Sequence, residues 1–213
     1  TNNKSPDWLK RRLESIGMKS INCLVDITNF INFDRGRPLH VYDANKINDK
    51  IGAREARDGE KVLALDGKDY ELKPGMCVIA DEEKVVGIGG IMGGNESGST
   101  IETKDVFIES AYFDPVKTAL AGRELNIVSD SRYRFERGVD PEYVIEGLNL
   151  ATQMILDLCG GEAGEVSIVD NLKFKPKKIT FNPKLVNKLT GIEIENDKIN
   201  KILVSLGFKV SDT

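Results

Sequence analysis

Ser129-Asp130-Ser131-Arg132-Tyr133-Arg134-Phe135-Glu136-Arg137-Gly138-Val139-Asp140-Pro141 is the segment on which the reading of this chain turns. Three arginines and two aromatic rings fall within residues 132–137. A solvated strand has no use for two large rings. A core strand has none for three guanidiniums, which stay charged and carry their donors in a rigid fork. Laid out as a strand, the segment turns Arg132, Arg134 and Glu136 to one side and Tyr133, Phe135 and Arg137 to the other. Two readings follow. Either the arginines and Glu136 form an internal lattice, or the guanidiniums face a phosphate or carboxylate, which they bind through charge-assisted hydrogen bonds.

The segments before this one alternate in period. Ser5-Pro6-Asp7 predicts a helix start, with Ser5 as cap, and Trp8, Leu9, Leu13 and Ile16 recur at helical spacing before Gly17. Asp34 to Pro38 predicts a turn. From Ile51 to Ala111 the pattern is that of short strands, with Asp66-Gly67 as a hairpin turn. Val106 to Phe113 predicts a buried strand carrying one acid, Glu109. Asp114-Pro115 predicts a helix to about Glu124, and Asp140-Pro141 a second one ending at Cys159 before two glycines. Two further short helices are predicted after Asn182-Pro183 and around Ile199–Leu206. The fold class is α+β: a sheet-rich body with a beta-sandwich-like core and flanking helices over residues 1–170. Residues 171–178 are expected to be a lysine-rich linker. Residues 179–213 are expected to be the truncated start of a small helical module.

Composition narrows the functions. The chain has 213 residues, begins Thr-Asn-Asn, and is expected to be a piece of a longer protein. No apolar run is long enough to cross a bilayer and no secretory signal is visible. The three cysteines are scattered without a CxxC, which fits reduced core thiols in a cytoplasmic protein and gives no zinc spacing. The net charge of −4 argues against strong sequence-independent grip on RNA. One exception is the stretch 171–188, with six lysines and no acid. Gly-Ile-Gly-Gly-Ile-Met is followed by no Gly-Lys-Ser/Thr, so it is not a phosphate loop, and no Gly-x-Ser-x-Gly elbow occurs.

A few residues stand out by type. His40 is the one histidine, and its ordinary pKa lies near neutrality. It reads as a satisfied structural histidine, as a general base, or as a group that orients water or an ester. Glu109 interrupts an apolar strand and needs a partner there; an arginine salt bridge or a specificity post both answer. The glycines 87, 89, 90, 93 and 94 serve as bulges or as a backbone wall that a ligand can approach. Thr28 and Asn29 are short polar residues in an apolar run and can bond local backbone.

Five motifs, in order, carry a resemblance. They are Leu24-Val25-Asp26-Ile27-Thr28-Asn29-Phe30, then Gly36-Arg37-Pro38-Leu39-His40-Val41-Tyr42-Asp43. Gly89-Gly90-Ile91-Met92-Gly93-Gly94, Phe107-Ile108-Glu109-Ser110-Ala111 and the arginine-rich segment follow. Together, over roughly residues 5–165, they resemble the editing domain of the beta subunit of bacterial phenylalanyl-tRNA synthetases. The resemblance implies a cavity in which His40, Asn29 and Thr28 serve hydrolysis. It implies that Glu109 reads a tyrosine hydroxyl, that Gly93 and Pro38 shape the wall, and that Ser129 and Ser131 lie beside it. Arg132, Arg134 and Arg137 would be structural or face tRNA. The implied activity is hydrolysis of tyrosine mischarged on phenylalanine tRNA, by water attack without a covalent intermediate. The implied partners are that tRNA and an alpha subunit, in an (αβ)₂ heterotetramer, with no membrane. ATP and magnesium belong to synthesis in the alpha subunit, and no cofactor or metal is expected here. The implied small helical module resembles nucleic-acid-binding domains. Many members read Thr-Asp-Ala-Ser where this chain has Ser129-Asp130-Ser131-Arg132, so discrimination at those two serines can differ. Two rivals remain: a non-catalytic module that guides tRNA or assembles subunits, and a stand-alone protein acting on a free small substrate.

Overall fold

The computed structural model describes residues 2–170 and 177–211. The chain divides into two compact units, Thr1–Ile168 and Val169–Thr213. Of the stretch 171–178 expected as a linker, residues 171–176 lie outside the described residues.

The first unit is α+β, as expected. It opens with helices α1 (Asp7–Ser15) and α2 (Cys23–Arg35). Ser5 does not cap α1. Its hydroxyl donates instead to Asp26 Oδ2 at 2.6 Å, and Pro6 holds the cap position. Asp26 is fully buried and also accepts from the Ser20 hydroxyl and the Ile21 amide, so its charge is met by three donors. Helix α2 is capped by Asn22, which accepts from the Val25 amide at 3.0 Å. It runs further than the turn predicted at Asp34 allows, and ends at Gly36, whose φ of 63° is left-handed.

That reversal leads into strand β1 (Leu39–Asp43). Short strands follow: β2 (Gly52–Glu55), β3 (Lys61–Leu63), β4 (Asp69–Glu71), β5 (Cys77–Ala80), β6 (Val85–Ile88), β7 (Met92–Gly93) and β8 (Val106–Ser110). Among the described residues they form three antiparallel sheets, ordered β1-β8, β2-β5-β6-β7 and β3-β4. The β3–β4 hairpin turns through Asp66-Gly67, with Gly67 at φ 78°. Strand β5 sends Val78 and Ala80 to one apolar cluster and Ile79 to another, so it is covered on both faces. The strand expected over Val106–Phe113 is shorter and lies at a sheet edge, leaving Phe107 41% exposed.

Helix α3 (Pro115–Glu124) is capped by Asp114, which accepts from the Val116 and Lys117 amides. Helix α5 (Val144–Cys159) starts later than Asp140-Pro141 predicted. Asp140 closes a turn by accepting from the Glu142 amide, and its carbonyl takes a hydrogen bond from Arg37. The Arg37 guanidinium is itself buried and also donates to the Ala111 carbonyl at 2.9 Å. Leu9 and Leu13 of α1, Leu24, Ile27 and Ile31 of α2, and Ala151 and Ile155 of α5 meet Val41 and Ile108 in one core.

The arginine-rich segment is helical rather than extended. Ser129 caps α4 (Asp130–Phe135) by accepting from the Arg132 amide at 3.0 Å. Helical spacing then brings Arg132 and Glu136 together, Nε to Oε2 3.0 Å. Arg137 reaches Glu136 as well and lies over the Tyr133 ring at 3.7 Å. Arg134 lies over Phe33. Phe135 points inward and meets Phe113 edge-to-face, centroids 5.0 Å apart. The guanidinium of Arg132 packs on Gly122, where a Cβ would fall 2.3 Å from its Nε.

In the second unit, helix α6 (Lys184–Thr190) ends at left-handed Gly191, and α7 (Asn196–Ser205) buries Ile199. Asn182 accepts from the Lys184 amide at the start of α6.

Candidate active site

Strand alternation divides the β1–β8 pair into two faces. Leu39 and Val41, with Val106 and Ile108 across, pack against the helices. His40 and Tyr42 point the other way, and in register His40 stands opposite Glu109 and Tyr42 opposite Phe107. The Tyr42 hydroxyl donates to Glu109 Oε2 at 2.7 Å. The His40 and Tyr42 rings meet edge-to-face, centroids 4.3 Å apart.

This second face closes a cavity of about 280 Å³. Helix α2 supplies another wall through Val25, Thr28, Asn29 and Asn32, which share one stripe of the helix. The β6–β7 hairpin supplies a third, and the start of α4 brings Asp130 and Ser131. The glycines of the hairpin are there for contact. A Cβ on Gly93 would lie 2.2 Å from His40 Cε1, and one on Gly89 would lie 2.8 Å from Cys77 Sγ. The imidazole therefore rests on bare backbone.

The electrostatics set the two central groups apart from free side chains. Burial lowers His40 to about 4, so the ring is neutral at neutral pH. Burial raises Glu109 to about 6, partly offset by the Tyr42 hydroxyl, so it is mostly ionised at pH 7. Among the described residues, the buried side-chain atoms without a hydrogen-bond partner are Asn32 Oδ1, Arg37 Nε, His40 Nε2 and Ser99 Oγ. All but Arg37 line the cavity. Unpaired buried polar atoms are uncommon in folded proteins and call for an explanation. Here three of the four belong to residues of one cavity wall.

The structure brings His40, Asn29, Thr28, Glu109, Gly93, Pro38 and Ser131 to the cavity wall. Thr28 also donates to the Val25 carbonyl at 2.8 Å, and Ser131 donates to the Gly90 carbonyl at 3.2 Å. Ser129 is not on the wall; it caps α4 and donates to the Ile91 carbonyl, tying the helix to the hairpin. Arg132, Arg134 and Arg137 are likewise away from it, in the contacts given above. Sequence reasoning missed Tyr42, Asn32 and Ser99. Tyr42 was recoverable from strand period, two residues after His40. Asn32 was recoverable from helix period, three and four residues after Asn29 and Thr28. Ser99 left no periodic signal. Among the described residues no three His, Cys, Asp or Glu side chains gather as a metal-binding group.

The B3/4 domain family model matches residues 1–160. The chain belongs to that family. Over 98% of its length it is 53% identical to the phenylalanine–tRNA ligase beta subunit of Mesorhizobium japonicum. It is 51% identical to the beta subunit of Paramagnetospirillum magneticum over 99% of its length. The chain spans 26% of each of these relatives. A solved N-terminal fragment of the phenylalanyl-tRNA synthetase beta subunit from Pyrococcus horikoshii covers 89% of the chain at 18% identity and TM-score 0.47, too distant to carry weight. The resemblance to beta subunits that the motifs carried thus extends over nearly the whole chain.

Proposed function

We propose that this domain is the editing site of a phenylalanine–tRNA ligase beta subunit and hydrolyses tyrosine mischarged on phenylalanine tRNA. The observation that carries the reading is the pairing of Glu109 with His40 across two strands, on the wall of one cavity with Asn29 and Thr28. Glu109, largely ionised and already accepting from Tyr42, is placed to accept from a substrate phenol as well. A pocket that bonds a substrate hydroxyl rejects the analogue lacking it by roughly 10⁴–10⁵-fold, which is the direction needed to destroy tyrosyl-tRNA and spare phenylalanyl-tRNA.

His40 has little basicity where it sits. Its unpaired Nε2 therefore serves best as a hydrogen-bond partner that holds the attacking water or the ester, with Asn29 and Thr28 beside it. Water adds to the ester carbonyl, the ribose oxygen leaves with a proton, and free tyrosine results. No residue of the chain is consumed. In this reading the domain works in the cytoplasm with the tRNA 3′ end delivered to the cavity. Synthesis, with ATP and magnesium, lies in an alpha subunit of an (αβ)₂ assembly.

The test is hydrolysis of tyrosyl-tRNA by the intact ligase. His40→Ala and Glu109→Ala are each expected to abolish most of it while leaving aminoacylation intact. Unchanged hydrolysis in both variants sinks the site. A wild-type ligase that accumulates tyrosyl-tRNA favours the tRNA-guiding or assembly role instead.

A further inference from the structure

Tyr42 is held on every side. It is 1% exposed, its ring meets His40 edge-to-face, and Phe107 lies at 6.3 Å between centroids. A Cβ on Gly87 of β6 would stand 3.4 Å from its hydroxyl. That hydroxyl bonds Glu109 Oε2 at 2.7 Å, reached from the diagonal position across the strand pair. Burial and the carboxylate push the phenol above its usual range, so it keeps its proton and always donates. Glu109 itself is half-buried on the cavity wall. Its Oε1 has no donor among the described residues and is not cut off from solvent.

The other groups around Glu109 bring it no positive charge. His40 on β1 is neutral, and burial and Glu109 raise the thiol of Cys77 on β5. Asp130 on α4 shares the wall and has Arg134 at 3.6 Å. The lining residues from α2 and the β6–β7 hairpin are not titratable, and the lining includes neither lysine nor arginine. Tyr42 is thus the one donor to Glu109 among the described residues.

We infer that Tyr42 is a positioning residue: it ties Oε2 of Glu109 and leaves Oε1 as the oxygen that accepts from the substrate phenol. The inference rests on the hydroxyl-reading role of Glu109 and says how that role is set. With Oε2 tied, the carboxylate offers one acceptor in one place. Ionised, Oε1 takes the phenol in a charge-assisted bond. A proton bound by the acid goes to Oε1, since Oε2 already faces a donor, and turns the reading atom from acceptor to donor.

The test is kcat/KM of the intact ligase for hydrolysis of tyrosyl- and phenylalanyl-tRNA, from about pH 5 to 8. The two esters carry the same charge and differ by one hydroxyl, so their ratio cancels groups that act on both. In the wild type the ratio is expected to fall about 10-fold as pH drops through the Glu109 midpoint, as a charge-assisted bond becomes a neutral one. Tyr42→Phe keeps the ring and removes the donor. Its midpoint is expected to rise by about 1 pH unit or more, because the ionised acid loses its hydrogen bond, with phenylalanyl-tRNA hydrolysis unchanged. In Glu109→Gln the ratio is expected to be flat with pH, and adding Tyr42→Phe should restore no midpoint. Carbon NMR titration of the Glu109 carboxyl in this chain scores the pairing apart from hydrolysis, and its midpoint should rise equally in Tyr42→Phe. An unmoved carboxyl midpoint, a ratio lowered equally at every pH, or equal loss on both esters overturns the inference. If Tyr42→Phe does not fold, the wild-type Tyr42 hydroxyl proton decides: its resonance is expected to move as Glu109 titrates, and a fixed resonance overturns the pairing. A moved carboxyl midpoint without tyrosyl-tRNA hydrolysis by the wild-type ligase removes the editing reading and leaves Tyr42 as the group that sets Glu109.

Discussion

The two faces of the β1–β8 pair use the same ten residues, five from each strand, for opposite ends. Toward the helices, Val41 and Ile108 meet Ile27 and Ile31 with no polar atom among them. Toward the cavity, His40 stands in register with Glu109 and Tyr42 donates to that carboxylate, with an unpaired nitrogen on the ring and a perturbed pKa on the acid. The helix face holds the pair in place. The cavity face costs stability, because burial works against a charged Glu109 and leaves His40 Nε2 without a partner. A strand period of two residues lets one short element do both, since neighbouring side chains never share a face. Replacements on the helix face should thus reduce stability and spare selectivity, and those on the cavity face should do the reverse.

The largest effect expected is on selectivity. In the intact ligase, Glu109→Ala should lower the preference for hydrolysing tyrosyl- over phenylalanyl-tRNA by about 10³-fold or more, read from kcat/KM on both substrates. Next, Gly93→Ala places a methyl inside the His40 ring and must move it. Hydrolysis should fall by about 10²-fold while aminoacylation persists; retained hydrolysis would show that the position of His40 does not matter. On the opposite face, Ile31→Ala opens a cavity in a fully buried site and should cost about 2–5 kcal/mol in urea unfolding, with tyrosine selectivity intact at low temperature.

The pH dependence of stability sharpens the same contrast. His40 falls from 6.5 to about 4 on folding, so the unfolded chain binds the extra proton. Stability is then lost as pH falls from about 6.5 to 4, by roughly 3 kcal/mol in all. Glu109 rises from 4.5 to about 6, so its protonated form favours the fold. That contribution is present below pH 4.5 and is lost as pH rises through 6, to the extent of about 2 kcal/mol. The two slopes oppose each other between pH 4.5 and 6. Urea melts across pH 4–7 should show a steeper acid loss in Glu109→Gln than in the wild type, and a shallower one in His40→Asn. Glu109→Gln should also be more stable than wild type at pH 7 by up to about 2 kcal/mol. The smallest effect belongs to the surface: Arg137→Ala removes a ring contact on exposed Tyr133 and should cost about 0.5–1 kcal/mol without touching hydrolysis.

Much of this was legible in the chain. The caps at Asn22 and Asp114 act within two or three residues, and Gly67 meets a turn that few other residues enter, so local chemistry sufficed for Asp114 and the hairpin. Reading failed where a distant group competed for a local one. Ser5 offers its hydroxyl to Asp26, 21 residues away, rather than to the helix it precedes. Asp140 closes a turn with its side chain, and its carbonyl is bonded by Arg37 from 103 residues away. The alternation read into residues 132–137 was that of a strand, whereas the Ser129 cap and the Arg132–Glu136 pair make a helix of it.

The chain by itself determined the α+β class, the residue types that gather at the cavity, and the resemblance to phenylalanyl-tRNA synthetase beta subunits, because side-chain type and short-range period are local properties. Tertiary structure alone decided that His40 faces Glu109, that the imidazole rests on Gly93, and that Asn32 joins the wall while Ser129 leaves it. It decided the charge states as well. A pKa follows from how much water and which partners surround a group, and those neighbours come from strands and helices far apart in sequence.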